Sequence, residues 1–211
     1  DRLVEAFGQH PRLVLLGKPG SGKTITLHYT ALMLAQGESG AARLGLPASA
    51  LPILIRLADY AINLTTNPGQ TLHQALTEEF LKLCPYVEHA SLFLEKALQQ
   101  GRCLILLDGL DEVGDFGQKL IDGQTLHQVV LKRIREFEQL YCRSESCNRI
   151  LITSRLEGYA PGSLPGFAEA ELSPLSFPDE VQTFLVYWFT AYRQRTLSLT
   201  WDQARYQAAQ S

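Results

Sequence analysis

The chain has 211 residues, 45% of them hydrophobic, and a formal net charge of −3 at pH 7. This length provides for one α/β domain with a sizeable core and part of a second domain. The charge balance gives no bulk attraction to nucleic acid or to an anionic membrane, and the longest apolar runs are far too short to span a bilayer.

The first fifty residues predict the end of a helix, a strand and a longer helix. Residues 1–9 carry apolar side chains on one face and are interpreted as the end of a helix. The apolar run 12–16 predicts a buried strand, and residues 24–35 predict a helix that stops at Gly37. The small and polar residues 37–49 predict a loop.

The next fifty residues predict one strand and two helices. Residues 52–57 are almost continuously apolar, as in a parallel strand covered on both faces. Residues 59–69 are interpreted as a loop that could include a short helix. Thr71 is a candidate N-cap for a helix over 72–83, and a second helix is predicted over 88–100.

Strands alternate with helices over the rest of the chain as well. The remaining predicted elements are strands at 103–108, at 149–154 and, more weakly, at 168–172, a helix capped by Thr125 that runs to about Tyr141, helices over 179–193 and over 201–210, and loops at 114–123 and 158–166. Such alternation predicts an α/β fold with a parallel, doubly wound sheet.

The most informative stretch follows the first strand and matches the phosphate-binding pattern G-x-x-x-x-G-K-[ST]. Its glycines let successive N–H groups point inward at phosphate oxygens, and the following helix adds the partial positive charge of its N-terminus. Lys23 is expected to reach the β- and γ-phosphates, and the Thr24 hydroxyl to hold Mg²⁺. The predicted nucleotide-binding residues are Gly17, Lys18, Pro19, Gly20, Ser21, Gly22, Lys23, Thr24 and the adjoining Ile25.

A second group of candidate residues follows the apolar strand at 103–108. The strand ends in Asp108, and Asp111 and Glu112 come soon after it. An apolar strand that ends in Asp is the Walker B arrangement, in which Asp108 would hold Mg²⁺ through water opposite Thr24. Asp111 and Glu112 could position or deprotonate an attacking water molecule. The alternative is an acidic loop with no catalytic role.

Arg155 is the third candidate, because it follows the strand at 149–154 directly. If that strand lies between the strand of the phosphate-binding loop and the acidic strand, its end points at the γ-phosphate. Arg155 could then sense this phosphate through charge-assisted hydrogen bonds. The alternative is a surface arginine that pairs with Glu157.

The cysteines and histidines give no metal site. Cys84 and Cys103 lie in or beside apolar segments and are interpreted as core residues. A loop disulfide between Cys142 and Cys147 remains an alternative, although P-loop NTPases mostly work in reducing compartments. The five histidines are scattered, and none has the spacing of metal ligands.

Together these residues resemble the NACHT domain of the STAND class of signalling NTPases. The resemblance rests on residues 17–24, on 106–112 and on Thr-Ser-Arg at 153–155 followed by Gly158 and Tyr159, and it covers about residues 10–195. The acids three and four positions after Asp108 are its most specific part. The pattern is similar to that of bacterial NLR-like proteins.

The resemblance implies an α/β P-loop NTPase three-layer sandwich with a parallel five-stranded sheet in the order 5-1-4-3-2. Residues 1–173 would be the nucleotide-binding domain, and 174–211 the truncated beginning of a small helical domain. Pro174 would lie near adenine at the joint between them, unless it is an ordinary interdomain proline. Residues around Arg12 would close the adenine pocket from the other side.

The resemblance also implies a function: a cytoplasmic ATP/ADP-dependent switch with slow, Mg²⁺-dependent ATP hydrolysis. ADP would hold a longer protein inactive, and ATP would lead to its self-association, with effector and sensor domains outside this chain. This agrees with a sequence that begins at Asp1 without Met and shows no signal peptide, as expected for an excised piece. A motor or transport NTPase and a non-hydrolysing nucleotide-binding scaffold remain the alternatives.

Overall fold

The structure is a computed structural model that describes residues 2–47, 50–114, 123–142, 148–173, 175–197 and 200–209. These residues divide into two compact units at Leu172 and Ser173. The elements of the first unit are, in chain order, α1 Arg2–Gln9, β1 Arg12–Leu16, α2 Lys23–Ala35, α3 Glu38–Arg43, β2 Leu51–Arg56, α4 Leu57–Thr66, α5 Leu72–Leu83, α6 Ala90–Gln99, β3 Cys103–Asp108, a 3₁₀ turn Leu110–Glu112, α7 Leu126–Tyr141, β4 Arg149–Ser154 and β5 Ala168–Glu171.

The strands of the first unit form a parallel sheet in the order β2-β3-β4-β1-β5. Read from the other edge, this is the predicted order 5-1-4-3-2. Strand β4 therefore lies between β1 and β3, and the carboxyl ends of these three strands meet at one edge of the sheet. In parallel α/β sheets, ligands bind at that edge.

Strands β1 to β4 each contribute to two cores because successive side chains point to opposite faces of the sheet. Leu13 and Leu15 pack with side chains of α2, including Leu27 and Leu34, on one face. Val14 belongs to a larger core on the other face, which α4, α5, α6 and α7 cover. The layers are thus helix, sheet and helix, as predicted.

Two of the predicted helices begin with the expected cap. The side chains of Thr71 and Thr125 accept hydrogen bonds from the backbone N–H groups of Gln74 and Gln128, and each glutamine bonds back to the N–H of its threonine. This reciprocal capping box fixes where α5 and α7 begin.

One segment predicted as a loop contains a helix, and a second contains a longer helix than expected. Within 37–49 the structure has α3, where a Cβ atom on Gly40 would lie 1.8 Å from the carbonyl oxygen of Met33. Gly40, one of the small residues that suggested a loop, is therefore needed for the close approach of α3 to α2. Within 59–69 the structure has most of α4, which buries Leu57, Tyr60, Ala61 and Leu64 at helical spacing.

The buried cysteines are structural. Cys103 begins β3 and Cys142 ends α7, and both are buried. Cys147, the suggested disulfide partner of Cys142, lies outside the described residues, as does 115–122 in the predicted loop 114–123.

The second unit consists of α8 Asp179–Leu197 and α9 Trp201–Ala209, which pack together. The rings of Tyr187 and Trp201 stack between these two helices, with their centroids 6.3 Å apart. Among the helices in the described ranges, none is long and apolar enough to cross a membrane.

Candidate functional site

The structure brings the predicted site residues together at the carboxyl edge of the sheet. A cleft of about 280 Å³ opens where the loop after β1 faces the ends of β3 and β4. Its lining residues are Pro19, Gly20, Ser21, Gly22, Lys23, Thr24, Ile25, Asp108, Gly109, Asp111, Glu112, Thr153 and Arg155. Pro174 lies outside the described residues.

The loop after β1 has a backbone that only glycine adopts readily at two positions. Gly20 and Gly22 have φ angles of 74° and 94°, in the left-handed region. At Gly17, a Cβ atom would lie 2.5 Å from the Ser21 hydroxyl oxygen, so a larger residue there would displace this hydroxyl. The Ser21 hydroxyl is buried and has no hydrogen-bond partner in the protein, which leaves it available to an anion within the loop.

Lys23 carries its charge into this loop. Its ammonium group donates hydrogen bonds to the carbonyl oxygens of Gly17, at 2.8 Å, and Lys18, at 3.0 Å. Because α2 begins at Lys23, the partial positive charge of the helix N-terminus adds to that of the ammonium. A glycine-rich loop, a lysine and a helix N-terminus together form a site suited to phosphate.

Two hydroxyl groups and one carboxylate adjoin this cationic region. Thr24 Oγ1 donates to Asp108, 3.0 Å from Oδ2 and 3.2 Å from Oδ1. Thr153 Oγ1 donates to Asp108 Oδ1 at 2.6 Å and accepts the N–H of Gly109 at 2.9 Å. The Thr153 hydroxyl therefore fixes the Asp108 carboxylate and the turn that follows it. Sequence reasoning used Thr153 as part of the Thr-Ser-Arg motif but assigned no chemical role to its hydroxyl.

The donor set fits magnesium bound together with phosphate. A hydroxyl and a carboxylate are oxygen ligands, which Mg²⁺ prefers, and Mg²⁺ commonly takes only one or two ligands from the protein beside phosphate and water. In the part of the chain that the structure describes, no group of three or more His, Cys, Asp or Glu side chains could hold a metal ion. Thr24 and Asp108 therefore fit an ion that arrives with its phosphates better than a permanently bound metal.

Arg155 pairs with Asp111 rather than with Glu157. Asp111 Oδ1 accepts the backbone N–H of Arg155 at 2.9 Å, and Oδ2 lies 3.0 Å from Arg155 Nε. Asp111 is 9% exposed, and a Cβ atom on Gly158 would lie 2.3 Å from Asp111 Cβ. The segment after β4 thus wraps closely around Asp111, which orients Arg155 at the cleft while the arginine side chain stays half exposed.

Glu112 has a different partner, which the sequence reasoning missed. Its carboxylate oxygen Oε2 lies 3.3 Å from Nη2 of Arg56, the last residue of β2. The only signal was that Arg56 is a charged residue near the end of the apolar run at 52–57. The structure shows that Arg56 and Asp108 are register partners on the neighbouring strands β2 and β3.

Arg12 lies at the opposite end of β1 from the phosphate-binding loop. It begins that strand, and its guanidinium pairs with the carboxylate of Glu138 on α7. It is not among the residues that line the cleft.

Of three comparisons with known proteins, one, with family models, identifies a family. A family model described as the NACHT domain matches residues 11–192. A search of curated proteins finds no match. Among solved structures, one chain of the E. coli MS115-1 HORMA:CdnC:Trip13 complex is similar, with 16% sequence identity and a TM-score of 0.43. The match covers 94% of this chain and 58% of that one.

The family match covers most of the chain, and it includes the phosphate-binding loop, the acidic end of β3 and Arg155. A NACHT domain is a nucleotide-binding module of the P-loop NTPase class. The chain therefore belongs to the NACHT domain family.

Proposed function

We propose that this chain is an ATP/ADP-dependent switch that hydrolyses ATP slowly and controls the self-association of a longer, NLR-like signalling protein. The observation that carries the proposal is the single cleft that gathers Lys23, Thr24, Asp108 and Arg155. These residues combine phosphate binding, magnesium binding and a cation suited to distinguish a triphosphate from a diphosphate.

The loop would bind the nucleotide through its backbone N–H groups and Lys23. The Lys23 ammonium now donates to two loop carbonyls, and these bonds would be exchanged for stronger, charge-assisted bonds to phosphate oxygens. Thr24 and Asp108 would hold Mg²⁺, which when bound neutralises charge on the phosphates. Ile25 would add a contact next to the loop.

The two acids after Asp108 have separate tasks in this proposal. Both oxygens of Asp111 are already bonded to Arg155, so Asp111 holds the sensing arginine in place. Glu112 is the remaining candidate for the base that takes a proton from water. Slow hydrolysis agrees with this arrangement because Glu112 is itself paired with Arg56.

Other parts of the proposal rest on the family alone. Pro174 is proposed to lie near adenine, at the joint between a nucleotide-binding domain over 1–173 and the beginning of a helical domain over 174–211. Effector and sensor domains outside this chain, a bacterial origin and a cytoplasmic location, where ATP is abundant, belong to the same proposal.

Calorimetry on a Lys23→Ala variant tests nucleotide binding. We expect binding of both ATP and ADP to be lost, because the loop is left without its fixed cation. Lys96→Ala, on the exposed face of α6, is the matched control and should bind as the wild type does. Unchanged affinity in Lys23→Ala would refute the assignment of the loop.

Single-turnover hydrolysis separates a switch from a non-hydrolysing scaffold. The scaffold is favoured by one observation, namely that Asp111 and Glu112 are both engaged in ion pairs. If the chain is an enzyme, Glu112→Gln should bind Mg·ATP normally and hydrolyse it about 100-fold or more slowly, as expected for a lost general base. Wild-type protein that binds ATP and never hydrolyses it would instead support the scaffold.

A further inference from the structure

Large apolar side chains cluster at the corner where the chain turns from α5 into α6. Six of them are at least 40% exposed, namely Leu81, Leu83, Tyr86, Val87, Leu92 and Phe93. Tyr86 is 97% exposed, more than any other large apolar side chain in the part of the chain that the structure describes. Single apolar side chains are common on protein surfaces, but a cluster of them usually marks a contact with another molecule. We call the three most exposed of the six, Leu83, Tyr86 and Val87, the knob.

An apolar pocket opens at the other end of α5. It lies between the first turn of α5 and the second half of α7, and its volume of about 420 Å³ exceeds the 280 Å³ of the nucleotide cleft. Its lining residues are Thr71, Leu72, His73, Arg133, Glu136, Phe137, Gln139, Leu140 and Tyr141. A lining of apolar and aromatic side chains with a few polar groups is typical of binding pockets.

Three rings in this lining suit an aromatic guest. The His73 ring stacks on the Tyr141 ring with 5.4 Å between centroids, and the Phe137 ring lies 5.0 Å from the same Tyr141 ring. A further aromatic side chain could extend this group at the spacing that aromatic pairs favour. The side chain of Glu136 is 40% exposed and could accept a hydrogen bond from a phenolic hydroxyl. The pocket therefore fits a tyrosine.

The length of α5 determines which knob can enter which pocket. The helix spans Leu72–Leu83, and its 12 residues make it about 18 Å long. Its first turn lines the pocket, whereas its last residue belongs to the knob. The knob therefore cannot fill the pocket of its own chain, but it can fill that of a second copy. Glu88 directly follows the knob and Arg133 lines the pocket, so opposite charges accompany the two surfaces.

We propose that the knob of one copy inserts Tyr86 into the apolar pocket of the next copy, and that this contact joins copies of the chain head to tail. The inference rests on the proposed function, in which the longer protein self-associates. The contact joins two different surfaces, so repeating it builds a ring or an open filament. Tyr86 is the anchor of this contact, because aromatic side chains that fill a pocket dominate the binding energy of many interfaces.

Sedimentation velocity with Mg·ATP over a range of protein concentrations tests the contact. We expect the wild type to form species larger than a dimer. Tyr86→Asp and Leu140→Asp should each weaken association about 30-fold or more, as expected for the loss of an anchor or of its pocket. Tyr86 and Leu140 are 97% and 64% exposed, so both variants should fold and should bind ATP in calorimetry as the wild type does.

Leu32→Asp is the matched control. Leu32 is 58% exposed, but it lies on α2, which packs on the opposite face of the sheet from α5 and α7. This variant should associate as the wild type does. An equal loss of association in Leu32→Asp would overturn the proposal, because any exposed apolar side chain would then have the same effect.

A mixture of the two variants distinguishes a head-to-tail contact from a symmetric one. Tyr86→Asp keeps an intact pocket, and Leu140→Asp keeps an intact knob. Their equimolar mixture should therefore form a dimer and nothing larger, although each variant alone stays monomeric. A mixture that stays monomeric would contradict the proposal, as would either variant associating alone like the wild type.

The two proposals fail in distinguishable ways. If the wild type binds Mg·ATP and stays monomeric at every concentration, the proposed self-association and this inference both fall. If the wild type associates and Tyr86→Asp associates equally well, only the contact between knob and pocket is refuted.

Discussion

The Thr153 hydroxyl connects three of the elements that build the cleft, and its removal has a calculable cost. Thr153 is 1% exposed and donates to the Asp108 carboxylate, which is itself 8% exposed. A hydrogen bond to a charged group contributes about 1.5–3 kcal/mol. Thr153→Val also leaves the Gly109 N–H without its acceptor, which costs about 1–3 kcal/mol. We therefore expect a loss of about 2.5–6 kcal/mol in the free energy of unfolding.

Urea denaturation of three variants measures this loss. Thr153→Ser keeps the hydroxyl and should lose much less stability than Thr153→Val. Thr30→Val is the matched control, because Thr30 is equally buried but its hydroxyl donates only to the Thr26 carbonyl within α2. That control should lose less than about 1 kcal/mol, since no buried donor is left unpaired.

The comparison between the two valine variants shows whether the Thr153 hydroxyl anchors Asp108. If Thr153→Val is destabilised no more than Thr30→Val, the Thr153 hydroxyl does not anchor Asp108. A full loss of stability together with weakened Mg²⁺-dependent ATP binding would show that the same hydroxyl also prepares the metal site.

Three further predictions concern other parts of the first unit. Gly158→Ala should destabilise the protein by about 1–3 kcal/mol in urea denaturation, because its Cβ would lie 2.3 Å from Asp111 Cβ. Gly69→Ala is the control, since its Cβ would lie 3.8 Å from the nearest atom, and equal stability of the two variants would refute the predicted clash. Asn148→Ala should lower the free energy of unfolding by about 2–4 kcal/mol in the same measurement, since this fully buried amide bonds to Cys103 N–H and to two carbonyls. A loss below about 1 kcal/mol would contradict the role of these hydrogen bonds. Burial raises the pKa of the Cys103 and Cys142 thiols from 9.0 to about 12. Between these values the folded chain keeps protons that the unfolded chain releases, so the free energy of unfolding should fall as the pH rises from about 9 to 12. A free energy of unfolding that does not change over that range would argue against burial of these thiols.

Local patterns in the sequence were sufficient for most elements of the fold. The apolar runs at 12–16 and 103–108 predicted β1 and β3, and Thr71 and Thr125 predicted helix starts that the structure confirms. The failure to predict α3 has a physical reason. Most residues of helix α3 are small, and they allow close packing, as Gly40 does against Met33. Its sequence therefore has the composition of a loop.

Part of the candidate site could also be predicted from local sequence patterns, and part could not. The phosphate-binding loop is a continuous segment, so its conformation depends mainly on its own glycines and could be predicted. The partners of the acids could not be predicted, because Arg155 and Asp111 are 44 residues apart, and Arg56 and Glu112 are 56 apart. Sequence reasoning gave a pair with the near neighbour Glu157 as the alternative for Arg155, and the structure shows that the arginine pairs with Asp111 instead.

The sequence by itself determined the family, the strands and the candidate residues for phosphate and magnesium binding, since each of these depends on short-range patterns. Only the tertiary structure decided which carboxylate meets which cation. That choice depends on strand order, which places β2 beside β3 and β4 between β3 and β1. Asp111 thereby comes to face Arg155 and Glu112 to face Arg56, so two adjacent acids that look alike in the sequence have different partners.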